Sequence, residues 1–255
     1  MGRSLAAIVG WQKDEIGINL ISLNRQPIDV RLNGIIHSME RIYWLSPFIT
    51  NTPNIIHLGC SNGTETIGTA WKFNATNIIG LDNNQDDIND ANKLLFNLRK
   101  DIQAITRKIQ CYSKDIDDDD IEWWNNSVPC FIKRNLLMED IYKIRFVVQD
   151  ITKPINLIAN SYDLVLADFV LNHIWLGEGG PKESNNISFV IAEVNRLLKN
   201  GGKIAVYEPM RGNEKPLLDY RIFFTKIGLI QLHYREINRN NSTICEILYM
   251  KPEKN

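Results

Sequence analysis

The residues best suited to chemistry lie in Asn54-Ile-Ile-His-Leu-Gly-Cys-Ser-Asn-Gly-Thr-Glu, residues 54–65. An apolar run empties into a glycine-bearing turn and then opens a helix, which lets a ligand approach backbone amides closely at the end of a strand. A dinucleotide fingerprint needs glycines at 59, 61 and 64. The chain has Gly59, Ser61 and Thr64 there. Gly59 and Gly63 instead fit Gly-x-Gly-x-Gly with Ser61 in the middle, a loop suited to a nucleoside with no pyrophosphate to cradle. The next apolar run ends in Gly80-Leu81-Asp82, and Asp82 lies 82 − 63 = 19 residues beyond the last loop glycine. A carboxylate at that offset, near the usual spacing of about 20, accepts hydrogen bonds from both hydroxyls of a ribose. A third run ends in Gln149-Asp150-Ile151, where Asp150 can accept from an adenine amino group and Ile151 lie against the ring.

These groups need strands to carry them. From about residue 54 the chain alternates strand-like and helix-like patches, the signature of βαβ units and a parallel sheet. Strands are expected at 54–58, 77–82, 144–149, 163–167 and 203–208, with helices from the first loop through Trp71, from Gln85 to about Arg107, and from Ser188 to Leu198. Asn200-Gly201-Gly202 marks the end of that last helix, because glycine supplies a left-handed cap. Leu229–Ile237 and Thr243–Tyr249 read as a closing hairpin. Residues 1–50 precede this rhythm and end in an expected helix, Ile35–Leu45. An insertion at about 108–143 carries the acidic run Asp115 to Glu122, then Trp123 and Trp124. That run lacks the glycine and the alternating spacing of a calcium loop, and a solvated acidic loop is its plain reading.

Over roughly residues 50–250 the chain resembles the Rossmann-like (class I) S-adenosylmethionine-dependent methyltransferases. Gly59–Gly63 fits the family's first motif, and Gly80-Leu-Asp-Asn-Asn-Gln-Asp-Asp-Ile-Asn-Asp-Ala91 its second-strand motif. Tyr162-Asp-Leu-Val-Leu-Ala-Asp-Phe-Val-Leu-Asn-His-Ile174 resembles the fourth-strand motif, and Leu197-Leu-Lys-Asn-Gly-Gly-Lys-Ile-Ala-Val-Tyr-Glu208 the fifth. The resemblance implies an α/β fold: a doubly wound, mostly parallel sheet of seven strands with a reversed final strand, preceded here by an N-terminal helical cap. It implies S-adenosylmethionine as cofactor, contacted by Gly59, Cys60, Ser61, Gly63, Glu65, Asp82, Asn83, Asp150, Ile151, Ala167, Asp168 and Phe169. Two positions depart from the pattern. His57 stands where the family has an acid two residues before the first loop glycine, and Ser61 replaces the second glycine.

Methyl transfer from a sulfonium is an in-line displacement that asks the protein to align three atoms and exclude water. His173, just beyond the fourth strand, is the candidate general base; its alternative is a packing or capping role in the following helix. Glu208 can orient a substrate, and Tyr43 with Trp44 can cover the sulfonium through cation–π attraction. The leading expectation is methyl transfer to a small molecule. Gly-Cys-Ser-x-Gly also resembles the subgroup that methylates receptor glutamates, with Glu65 facing the cofactor, although its long N-terminal helical domain has no room here. A protein-directed enzyme therefore stays an alternative, as does a catalytically silent binding subunit, which His57 and Ser61 keep open. A nucleic-acid substrate is not expected. The fourth-strand motif reads Ala-Asp-Phe-Val without a Pro-Pro-aromatic stack, and 29 basic against 30 acidic residues supply no polyanion-attracting field.

The 255-residue chain has 44% hydrophobic and 23% charged residues, which excludes fibrous and disordered classes. Cys60, Cys111, Cys130 and Cys245 show no redox or metal spacing, and the four histidines show none either, so no metal is expected. No apolar stretch nears the roughly 18 residues of a membrane helix. Leu5–Val9 is too short for a secretory core, so a cytoplasmic location is the expectation.

Overall fold

The computed structural model describes residues 34–35, 38–39, 41–49, 53–100, 143–176, 184–210, 221–239 and 242–253. The acidic run and Trp123-Trp124 lie outside these, as do residues 1–33. Seven strands follow one another as β1 (Asn54–Leu58), β2 (Asn77–Asp82), β3 (Ile144–Val148), β4 (Tyr162–Asp168), β5 (Leu198–Met210), β6 (Ile230–Arg239) and β7 (Ser242–Met250). Helices α1 (Thr64–Phe73), α2 (Gln85–Lys100), α3 (Leu171–Leu176), α4 (Ser184–Leu197) and α5 (Arg221–Lys226) connect or flank them.

The strands form one sheet in the order β3-β2-β1-β4-β5-β7-β6. Neighbours from β3 to β5 pair in parallel, while β7 runs antiparallel to both β5 and β6. The central strands are apolar on both faces, as strands covered by helices on each side must be. Ile55 and Leu164 point into one layer; Ile56 and Val165 point into the other, and all four are fully buried. The chain steps outward from β1 to β3, then returns to lay β4 on the other side of β1. That reversal opens a crevice at the carboxyl ends of β1 and β4, the place where ligands bind in such sheets.

The described part of the N-terminal region, residues 34–35, 38–39 and 41–49, is a strap that includes a 3-10 turn at Tyr43–Leu45. Ile35, Met39, Ile42 and Leu45 keep helical spacing and are buried in the same layer as α1 and the β4 residues Leu164 and Leu166. The close approach needs a glycine: a Cβ on Gly68 of α1 would lie 2.7 Å from the Ile35 carbonyl oxygen. The strap therefore shares the core of the sheet. At its far end Trp44 stacks on His233 of β6, with ring centroids 5.0 Å apart.

One boundary differs from the sequence expectation. Asn200-Gly201-Gly202 does not close α4, which ends at Leu197 with β5 starting at Leu198. The glycines sit instead in an irregularity of the β4–β5 pairing, where the register passes from Tyr162↔Leu198 to Leu164↔Lys203. Gly201 takes φ +74° and donates its N–H to the Lys251 carbonyl at 2.9 Å. The pair of glycines is thus a sheet corner, held by the chain leaving β7. No helix among the described residues is long and apolar enough to cross a membrane.

Candidate functional site

The loop between β1 and α1 is wound by left-handed residues: Gly59 (φ +65°), Ser61 (φ +45°) and Gly63 (φ +81°). Gly63 is fixed in type twice over, because a Cβ there would lie 2.5 Å from the Phe146 ring as well as on a disfavoured backbone. Ser61 takes the glycine-like conformation at a cost of about 1–2 kcal/mol for an L-residue. Its N–H donates to Asp82 Oδ2 at 2.8 Å, and that bond holds the turn. Asp82 Oδ1 accepts from the Asn84 N–H at 2.9 Å. One carboxylate at the end of β2 thereby ties the β1–α1 loop to the β2–α2 loop. An ionised carboxylate has about four acceptor positions, so each oxygen keeps one for a hydroxyl donor.

The other sequence-predicted residues are distributed around this junction. The Cys60 N–H is bonded to the Leu81 carbonyl at 3.0 Å, and burial pushes its thiol pKa well up. Asn83 is exposed. Asp150 Oδ1 accepts from both the N–H (2.9 Å) and the hydroxyl (2.6 Å) of Thr152, a local turn that fixes the end of β3. Ile151 is 7% exposed and packs in the inner core layer with Ile79 and Leu81. Ala167 is buried in the same layer, whereas Asp168 and the left-handed Phe169 (φ +54°) form the rim of β4.

On the β4 side the structure gathers the sequence-predicted Glu65, Asp168 and Phe169 around Arg41, a residue that sequence reasoning did not single out. Arg41 of the strap reaches Asp168 Oδ2 at 2.8 Å and Glu65 Oε1 at 3.1 Å. Its guanidinium lies 5.4 Å from the ring centroids of both Phe169 and Tyr207. Helical spacing held the signal, since Arg41 is three residues beyond Ser38 and borders the buried stripe. The contacts themselves are tertiary, and no sequence pattern joins Arg41 to Glu65, Asp168 or Phe169. Burial pushes the Asp168 pKa up to about 7 against the pull of Arg41. Tyr43, expected with Trp44 as a cover, instead stands outside with the Lys72 ammonium 4.2 Å from its ring centroid.

His57 is 1% exposed, with Nδ1 2.8 Å from Thr66 Oγ1. Burial lowers its pKa to about 4, so it is a neutral imidazole and cannot replace a carboxylate's charge. Glu208, also 1% exposed, accepts from the Leu171 N–H at 2.7 Å and so fixes the start of α3, the helix that carries half-buried His173. Burial pushes Glu208 up to about 8, against the stabilising amides of Leu171 and Asn172. Among the described residues no group of three or more His, Cys, Asp or Glu side chains is placed to hold a metal ion.

A family model described as a methyltransferase domain matches residues 105–206. No curated protein matches the chain. Among solved structures, the [4+2]-cyclase SpnF is similar at 12% identity and a TM-score of 0.53, covering 85% of this chain and 82% of its own. An S-adenosylmethionine-dependent methyltransferase from Aquifex aeolicus is similar at 11% identity and a TM-score of 0.52, covering 89% and 99%. Geranyl diphosphate C-methyltransferase from Streptomyces coelicolor A3(2), solved with Mg2+, geranyl diphosphate and S-adenosyl-L-homocysteine, gives 8% identity and a TM-score of 0.52 over 83% and 78%. The sheet order with its single reversed strand is the fold of these solved structures, and the family model places similarity to a methyltransferase domain over residues 105–206.

Proposed function

We propose that the chain transfers a methyl group from S-adenosylmethionine to a small-molecule acceptor at the crevice between β1 and β4. The observation that carries this reading is Asp82, whose carboxylate joins two loops and retains acceptor capacity on both oxygens. The donor set suits the cofactor from end to end. Asp150 and Asn83 lie at the adenine end, Asp82 at the ribose, and the Gly59–Gly63 loop along the nucleoside. The strand order then sends the methionine end across β1 toward β4. There Arg41 offers a guanidinium suited to a carboxylate, and its Nε has no partner among the described residues.

When bound, the cofactor supplies an electrophilic methyl on a sulfonium. The chain's own residues bind, orient and keep water out. Asp82 fixes the ribose, and the strap with Phe169 and Tyr207 walls the β4 side. Glu208 holds the start of α3 and so positions His173, the candidate to accept a proton from the acceptor. That wall of Phe169 and Tyr207 against Arg41 on the β4 side suits a small acceptor better than a protein side chain or a base in a nucleic acid. The same fold carries a cyclase and a C-methyltransferase, so the acceptor is set by the chain's own residues and not by the fold.

Incubation with methyl-labelled S-adenosylmethionine and separate pools of small amines, phenols, carboxylic acids, proteins and nucleic acids tests the reading. Label in a small-molecule pool, with S-adenosylhomocysteine released in equal amount, is expected. Label confined to the protein pool would transfer the assignment to a protein-directed enzyme.

A further inference from the structure

Beneath the strap lies a cavity of about 20 Å³, bounded by Trp44 above, Thr69 of α1 at the side, and His57, Leu166, Asp168 and Tyr207 of the sheet below. Three of these residues have a buried polar atom with no partner among the described residues: Trp44 Nε1, His57 Nε2 and Asp168 Oδ1. They come from three separate segments, the strap, β1 and β4, and line the same small space. Buried polar groups are almost always paired, with protein or with ordered water. A cavity holds one water when it offers about 10–15 Å³ or more and two to four polar partners, and this one meets both conditions.

We propose that this cavity is a binding site for one ordered water that accepts from Trp44 Nε1–H and donates to Asp168 Oδ1 and His57 Nε2. Trp44 can only donate and an ionised Asp168 can only accept, and the proposed arrangement places the second water proton on His57. His57 Nε2 must then be the bare nitrogen, and Nδ1–H donates to Thr66 Oγ1 across the observed 2.8 Å. The site gives the strap a polar anchor to the sheet beside its apolar packing. It also occupies the oxygen of Asp168 opposite the one that grips Arg41. A histidine in place of the usual acid is thus a neutral acceptor for a structural water. This inference is independent of methyl transfer and stands or falls without it.

Two measurements on the full chain test it. A crystal structure at a resolution that orders waters is expected to show a single peak about 2.7–3.2 Å from all three atoms. Long-range nitrogen–proton spectra of the imidazoles at mildly alkaline pH are expected to show His57 protonated at Nδ1. A cavity without density, or His57 protonated at Nε2, would overturn the proposal.

Discussion

Asp82 carries two kinds of load, one structural and one toward ligand, and they can be separated. In Asp82→Asn the side-chain amide faces two backbone N–H groups with one acceptor oxygen. Loss of one such bond costs about 1–3 kcal/mol, visible in urea unfolding without ligand. Affinity for S-adenosylhomocysteine by titration calorimetry is expected to fall at least about tenfold in addition, through loss of the ribose contact. If His173 accepts the proton, His173→Ala lowers turnover roughly 100-fold or more and leaves cofactor affinity unchanged. Unchanged turnover would assign the histidine to packing. The buried titrating groups set the pH dependence of stability. Glu208, raised to about 8, holds a proton in the folded chain that the unfolded chain has released between its ordinary pKa of 4.5 and pH 8. Stability contributed this way falls as pH rises across that window. His57, lowered to about 4, acts with opposite sign, and its contribution is lost as pH falls from 6.5 through 4. Asp168, raised to about 7, adds to the Glu208 limb, and the two outweigh His57 where their windows overlap, so urea unfolding is expected to show stability falling as pH rises toward 8, with Glu208→Gln flattening the fall above pH 7. Asp82 was legible in the sequence because an acid ending an apolar run has a defined place. Arg41 was not, because its ion pairs join residues 24 and 127 positions away, to Glu65 and Asp168.

At the scale of elements, the strap is the part whose role sequence patterning understated. Ile35, Met39, Ile42 and Leu45 promise an amphipathic helix, but only the tertiary structure shows that its apolar stripe completes the layer over β1 and β4. Leu45 is 1% exposed, so Leu45→Ala is expected to cost about 2–5 kcal/mol. At roughly 2–4 °C per kcal/mol for a chain of this size, the melting temperature drops by about 4–20 °C. A drop below a degree would mean that the strap is a separable cover. Gly63→Ala tests the loop in the same way. The left-handed backbone and the Phe146 contact are together expected to lower both stability and cofactor affinity. Strands β1, β2 and β4 were readable within a residue, since runs such as Asn54–Leu58 and Asn77–Asp82 are apolar on both faces and bounded by turns. The α4–β5 junction was misjudged because a glycine pair means a helix cap in local terms. Here the neighbouring strand's exit, at Lys251, takes the same residues into the sheet.

Across the whole molecule, the order of strands decides where ligands go and the chain's own side chains decide which. The reversal at β1 and β4 brings Asp82, Asp168 and the strap to one crevice, although they are far apart in sequence. The central claim is that this crevice takes S-adenosylmethionine with Asp82 on its ribose. Thermal unfolding with S-adenosylmethionine, S-adenosylhomocysteine and NAD in parallel tests it most directly. A ligand at 100 times its dissociation constant stabilises the folded chain by about 2.7 kcal/mol, a rise of roughly 5–11 °C. The account predicts that rise with both sulfur nucleosides, none with NAD, and its loss in a folded Asp82→Asn variant. A folded wild-type chain whose melting temperature moves with neither sulfur nucleoside would contradict it.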